Sequence, residues 1–165
     1  SSRIDGHIRL RDTRPFRTEP RGYLPTQKSV FNKMVGEGNA DGLELAFAAF
    51  LEQASDVQAH GKNYMAVGFK IDYVKASGEL STYTPDFLVR TTDGIVWIIE
   101  TKGRVELDVP QKMARLRQWC EDATAASKEH GSMTYRFVYV DQESIELHRP
   151  TSFAALASSF REYQA

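Results

Sequence analysis

Apolar residues recur along the chain with two different periods, and the switches between them mark out the elements. Across residues 41–54, Leu43, Phe47, Phe50, Leu51 and Ala54 fall three or four apart, the spacing of one helix face. Asp41, with Glu44 three residues on, supplies a capping box for its start. Over residues 64–74 the period drops to two. There Phe69, Ile71 and Tyr73 alternate with Lys70, Asp72 and Val74, which predicts a half-buried strand ended by the Ser77-Gly78 turn. Residues 82–90 read as a second strand and 95–102 as a third, apolar on both faces up to Glu100, as a central strand would be.

Helical spacing then returns. Asp108 caps a long helix with Pro110 in its first turn and Gln111 closing the box, and its buried stripe is Val109, Met113, Leu116, Cys120 and Ala123. Residues 133–140, rich in aromatic and β-branched side chains, predict a fourth strand, with a short one at 145–148. Thr151 caps a last helix with Phe153, Leu156 and Phe160 on one face. This order predicts an α/β sandwich around a mixed sheet.

With 165 residues, 41% hydrophobic and 26% charged, the chain fits one globular domain. The single Cys120 excludes an internal disulfide, and no apolar run suits a signal peptide or membrane span. A reducing compartment, the cytoplasm, is expected. Ser1 stands where a complete chain would have Met, as in a processed product, a tagged chain or a piece of something larger. Net charge is −1, so the molecule as a whole does not advertise affinity for a polyanion. Residues 1–40 are nonetheless basic, with Arg3, Arg9, Arg11, Arg14, Arg17, Arg21, Lys28 and Lys33 against Asp5, Asp12, Glu19 and Glu37. With Pro15, Pro20 and Pro25 they read as an extended arm or linker ahead of a domain at 41–165. His7, His60, His130 and His148 are scattered and none has zinc-ligand spacing, which makes them surface residues.

Strand parity raises the candidate chemistry. Side chains alternate across a strand, so Glu100 and Lys102 project from one face of the third strand. With a two-residue turn at Asp93-Gly94, Asp86 would lie opposite Thr101 and point to the other face. A three-residue turn, Thr92-Asp93-Gly94, puts Asp86 across from Glu100, and Gly94 supplies the left-handed residue that such a turn needs. Phe87, Val89, Trp97 and Ile99 then share the other face under a helix. Two carboxylates at cross-strand distance repel and cost several kcal/mol to bury unless a cation sits between them. Magnesium answers that need, with the Thr101 carbonyl as a further ligand and Lys102 placed to hold a water or neutralise a phosphate. The plain alternative is a solvated Glu100–Lys102 pair at a strand end.

At residues 83–90 (Tyr-Thr-Pro-Asp-Phe-Leu-Val-Arg) and 99–103 (Ile-Glu-Thr-Lys-Gly) the chain resembles the PD-(D/E)xK endonucleases. More narrowly, it is similar to the C-terminal nuclease domain of the restriction subunit of type III restriction-modification enzymes. The likeness runs from about Thr26 to Phe160. It implies a restriction-endonuclease-like α/β/α sandwich with a central mixed sheet of four to five strands, and a DNA endonuclease using Mg2+, with Mn2+ able to substitute. It makes Asp86, Glu100 and Lys102 catalytic and Glu44 a metal residue, whereas spacing alone makes Glu44 the partner of Asp41 in the capping box. Lys62, Asn63 and Lys112 become candidates for contact with DNA, though Lys112 is as easily a surface charge. The implied partners are double-stranded DNA, an ATP-dependent helicase region and a methyltransferase subunit. The chain has no G-x-x-x-x-G-K-[ST] loop, so any motor lies outside it.

Overall fold

The computed structural model describes residues 8–17, 23–35, 42–102 and 109–159. A hairpin of β1 (Tyr23–Pro25) and β2 (Lys33–Val35) is followed by helix α1 (Gly42–Gln53). Strand β3 (Val57–Lys62), the ribbon of β4 (Ile71–Val74) and β5 (Leu80–Tyr83), and the hairpin of β6 (Phe87–Thr91) and β7 (Ile95–Lys102) come next. Helix α2 (Val109–Ser127) leads to β8 (Thr134–Asp141), then α3 (Gln142–His148) and α4 (Phe153–Ser159). The main sheet has the order β3-β6-β7-β8, with β8 parallel to β7 and the other pairs antiparallel. It is therefore a four-stranded mixed sheet in an α/β molecule, as the order of elements predicts. Among the described residues no helix is long and apolar enough to cross a membrane.

Alternation sorts the strands' side chains into two cores. On one face Phe87, Val89, Trp97, Ile99, Val138 and Val140 pack against Phe47, Ala48 and Leu51 of α1 and Phe153 and Leu156 of α4. On the other, Ile98, Phe137 and Tyr139 meet Val109, Met113, Leu116 and Cys120 of α2, joined by Tyr73 and Tyr83 from the ribbon. Each fully buried side chain of this size contributes roughly 1.5–3 kcal/mol against exposure. The expected stripe of α2 is thus the buried one, apart from Ala123, which is only half-buried.

Several expected elements differ. The strand expected over 64–74 is regular only in β4, because Val67 N–H closes a turn onto Tyr64 O and Gly68 sits at φ +75°. Its alternation was sound, since Phe69, Ile71 and Tyr73 are buried, but it pairs with β5 outside the main sheet. The sheet strand in that region is β3, whose Val-Gln-Ala-His-Gly-Lys alternates apolar with polar residues but buries polar His60 and Lys62 beside Gly61. The single strand expected over 82–90 breaks at Pro85, which has no N–H for a ladder, into β5 and β6. Instead of a strand at 145–148 there is helix α3. Residues 23–35, within the stretch read as an arm, are packed on the domain, with Met34 buried in the α1 core. The caps expected at Asp41 and Asp108, and Phe160, lie outside the described residues.

Helix α4 is capped by Ser152 and Asp56 rather than by Thr151. Ser152 Oγ accepts from Ala155 N–H at 3.1 Å, and the Asp56 carboxylate accepts from Phe153 and Ala154 N–H, each at 2.9 Å. Asp56 O also accepts from Thr92 N–H, so this one residue ties the β6–β7 turn to α4. Replacing Asp56 with Ala should lower unfolding free energy by about 1–2 kcal/mol in urea titrations, while Thr151→Ala should stay within about 0.5 kcal/mol.

Candidate active site

The register of β6 on β7 runs Phe87↔Ile99, Leu88↔Ile98, Val89↔Trp97 and Arg90↔Val96. Continued by one residue beyond the paired strands, that register sets the backbone of Asp86 opposite Glu100. The three residues Thr92, Asp93 and Gly94 connect the strands, Gly94 adopts φ +84°, and its N–H closes onto Thr91 O at 3.0 Å. That is the three-residue turn expected from the position of Gly94. The Asp93 carboxylate stiffens it by accepting from Thr91 Oγ1 and Ile95 N–H.

Asp86 itself sits in a bend before β6. Its N–H donates to Ile99 O and its C=O accepts from Asn63 N–H. Its Oδ2 accepts from both the N–H and the hydroxyl of Thr101, at 2.8 and 2.9 Å. The Glu100 carboxylate is buried, 3% exposed, and its Oε2 accepts from the Tyr83 hydroxyl at 2.8 Å. Tyr83 feels both acids: burial first, then Glu100 and Asp86, push its hydroxyl well above the ordinary phenol range. Tyr83 thus holds Glu100 directly while the Asp86 carboxylate is turned to Thr101, and Tyr139 of β8 lies beside Glu100 in the sheet register. Lys102 ends β7 with its backbone paired to Asp141, and its side chain lies outside the described residues.

The remaining candidates take more structural places. Lys62 is 4% exposed and its Nζ donates to Glu44 Oε2 at 2.6 Å, with Val35 O at 3.4 Å. Glu44 thus has an ion-pair partner that neither the capping box nor the metal reading foresaw. Asn63 spends both amide hydrogens on Phe69 O and Pro85 O, at 2.8 Å each, which braces the segment carrying Asp86. Thr101, expected to offer a carbonyl, serves Asp86 through its N–H and hydroxyl. Lys112 stands over the rings of Tyr73 and Tyr83, 5.8 and 5.5 Å from their centroids. Tyr83 is the residue that sequence reading missed. Its only signal was an aromatic side chain with a polar tip three residues ahead of Asp86. Among the described residues no three acidic, histidine or cysteine side chains come together as a metal cluster.

A second pair, buried His60 with half-buried Glu52, braces β3 against α1. His60, expected at the surface, is buried on β3 and its Nε2 lies 2.7 Å from Glu52 Oε1 of α1. Glu52 also accepts from Gln27 and Lys28 N–H, joining helix, hairpin loop and sheet edge. Burial raises the Glu52 carboxyl, but its N–H and His60 donors outweigh this and hold it below the ordinary range. Burial lowers His60, helped by Lys28 and only partly offset by Glu52.

No protein-family model, no curated protein and no solved structure matches this chain.

Both shifts make the fold acid-sensitive. The unfolded chain protonates His60 below about pH 6.5 while the fold resists, and stability conferred by ionised Glu52 is lost as pH falls through its lowered folded value. Unfolding free energy should therefore fall as pH drops from 7 to 4, and His60→Gln should flatten the upper part of that slope. Tyr83→Phe should cost about 1.5–3 kcal/mol in urea unfolding at pH 7, because it takes a donor from a buried carboxylate.

Proposed function

We propose that this chain is a magnesium-dependent endodeoxyribonuclease of the PD-(D/E)xK type, with a restriction-endonuclease-like α/β/α fold. The observation that carries the reading is the β6–β7 register, which continued by one residue sets Asp86 opposite Glu100. The donor set fits the ion: magnesium takes oxygen ligands, keeps several waters, and commonly binds one or two carboxylates plus a substrate phosphate. Two protein carboxylates are enough for that role.

The residues divide the work. Thr101 orients Asp86 through two donors, and Tyr83 orients Glu100 through one. Glu44, held by Lys62, stands outside the pair in this reading. Lys112, over the tyrosine rings, offers positive charge to an approaching phosphate, and Lys102, two residues beyond Glu100, is assigned to steady the attacking water or the charge growing on the phosphate. A bound magnesium ion would lower the pKa of a water and neutralise phosphate charge. The likeness to type III restriction subunits extends the proposal to double-stranded DNA as substrate, with helicase and methyltransferase partners outside this chain.

Supercoiled plasmid should be cut by the wild type with magnesium and not with EDTA. Asp86→Ala and Glu100→Gln should each slow cutting on the order of 100-fold or more. Equal cutting by wild type and Asp86→Ala overturns the assignment. Titration calorimetry with manganese reads the site apart from turnover: heat that Asp86→Ala abolishes supports it, and no heat from the wild type favours a metal-free DNA-binding or assembly module.

A further inference from the structure

A cleft of about 230 Å3 lies between the segment 8–17, the hairpin and the residues that follow β3. Its aromatic wall is Phe16, Phe31 and Tyr64, with ring centroids 5.1–6.1 Å apart in tilted and edge-on contacts. Tyr64 is 2% exposed and forms the floor, while Phe16 at 38% forms an open rim. Arg14, Lys33 and Asn32 are among the polar residues of the lining, and none of the described lining residues is acidic. The same exposed segment carries Arg9, Arg11 and Arg17 against Asp12 alone. In a chain of net charge −1 this is a local concentration of cations.

The segment is held in place by a feature of β3. Gly61 has no side chain, and a Cβ there would collide with the side chain of Leu10. Leu10 therefore lies directly over the strand, and Phe16 is brought to Tyr64. The floor also connects to the candidate site. Tyr64 Oη accepts from Val35 N–H, Lys62 Nζ lies 5.3 Å from the Tyr64 ring, and the adjacent Asn63 holds the Asp86 carbonyl.

We propose that this cleft is a subsite for one unpaired nucleotide of a nucleic-acid strand, its base stacked on Phe16 and its phosphates on Arg14 and Lys33. The volume is below the ~300–1,000 Å3 of drug-sized pockets and suits a single planar group. An aromatic face flanked by cations is the combination that binds single strands, since every base has a π-face and every linkage a charge. A duplex keeps its bases stacked on one another and would leave Phe16 unused. The assignment rests on the nuclease reading above and adds to it a substrate with a single-stranded part at the site.

The test is fluorescence anisotropy of a labelled 12-nucleotide oligothymidine with the full chain in EDTA, so that binding is read without cleavage. Phe16→Ala should weaken binding about tenfold and Phe16→Tyr should restore it. Arg14→Gln, on an exposed side chain, should reduce the slope of log affinity against log salt by about 0.7. Circular dichroism of each variant checks the fold, and the arginine variant carries the test if Phe16→Ala fails it. No binding by the wild type, equal affinity for wild type and Phe16→Ala, or a salt slope unmoved by Arg14→Gln overturns the subsite. Failure of the nuclease reading shows differently: stacking-dependent oligonucleotide binding would persist while magnesium and plasmid give no cutting.

Discussion

The candidate site depends on the register of β6 against β7, and one turn sets that register. Gly94 at φ +84° closes a three-residue connection that an L-side chain would strain. Because strand side chains alternate, a slip of one residue would move Phe87 and Val89 out of the core beneath α1 and α4 and turn Leu88 into it. It would also separate Asp86 from Glu100. The same hydrophobic alternation that stabilises the sheet thus positions the acids, and neither can change alone.

The acids at this end of the sheet, Asp86, Glu100, Glu44 and Glu52, are buried or half-buried, and each has a side-chain partner. Thr101 serves Asp86, Tyr83 serves Glu100, Lys62 serves Glu44, and His60 serves Glu52. A buried charge without a partner costs several kcal/mol, so such a concentration of ionisable groups persists only where each is braced. The braces come from different elements. Asn63, at the end of β3, grips Pro85 and Asp86 ahead of β6, and Glu52 on α1 grips the hairpin loop at Gln27 and Lys28. The acid pair is therefore held by contacts that are distant in sequence, and its geometry is a property of the whole domain.

Elements with one clear period were legible. The spacing of Leu43, Phe47 and Leu51, the apolar run up to Ile99 and the stripe from Val109 to Cys120 each belong to an element that buries a regular face. Elements whose stability comes from elsewhere were not. Strand β3 buries His60, Gly61 and Lys62, which read as loop residues until Glu52, Leu10 and Glu44 are seen against them. Helix α3 carries a short apolar-polar mixture that fits either period, and its neighbours decide between them.

By itself, then, the sequence determined the mixed α/β class, the central strand β7 and the turn at Gly94, hence the register of β6 on β7. These follow from local rules: alternation, and the freedom of glycine at positive φ. Tertiary structure alone decided which side chains attend the acids. Tyr83 comes to Glu100 because Pro85 breaks the strand and folds β5 away from β6, and Lys62 comes to Glu44 because β3 joins the sheet edge beneath α1. Such pairings depend on distances between segments far apart in the chain, and no spacing along the sequence encodes them.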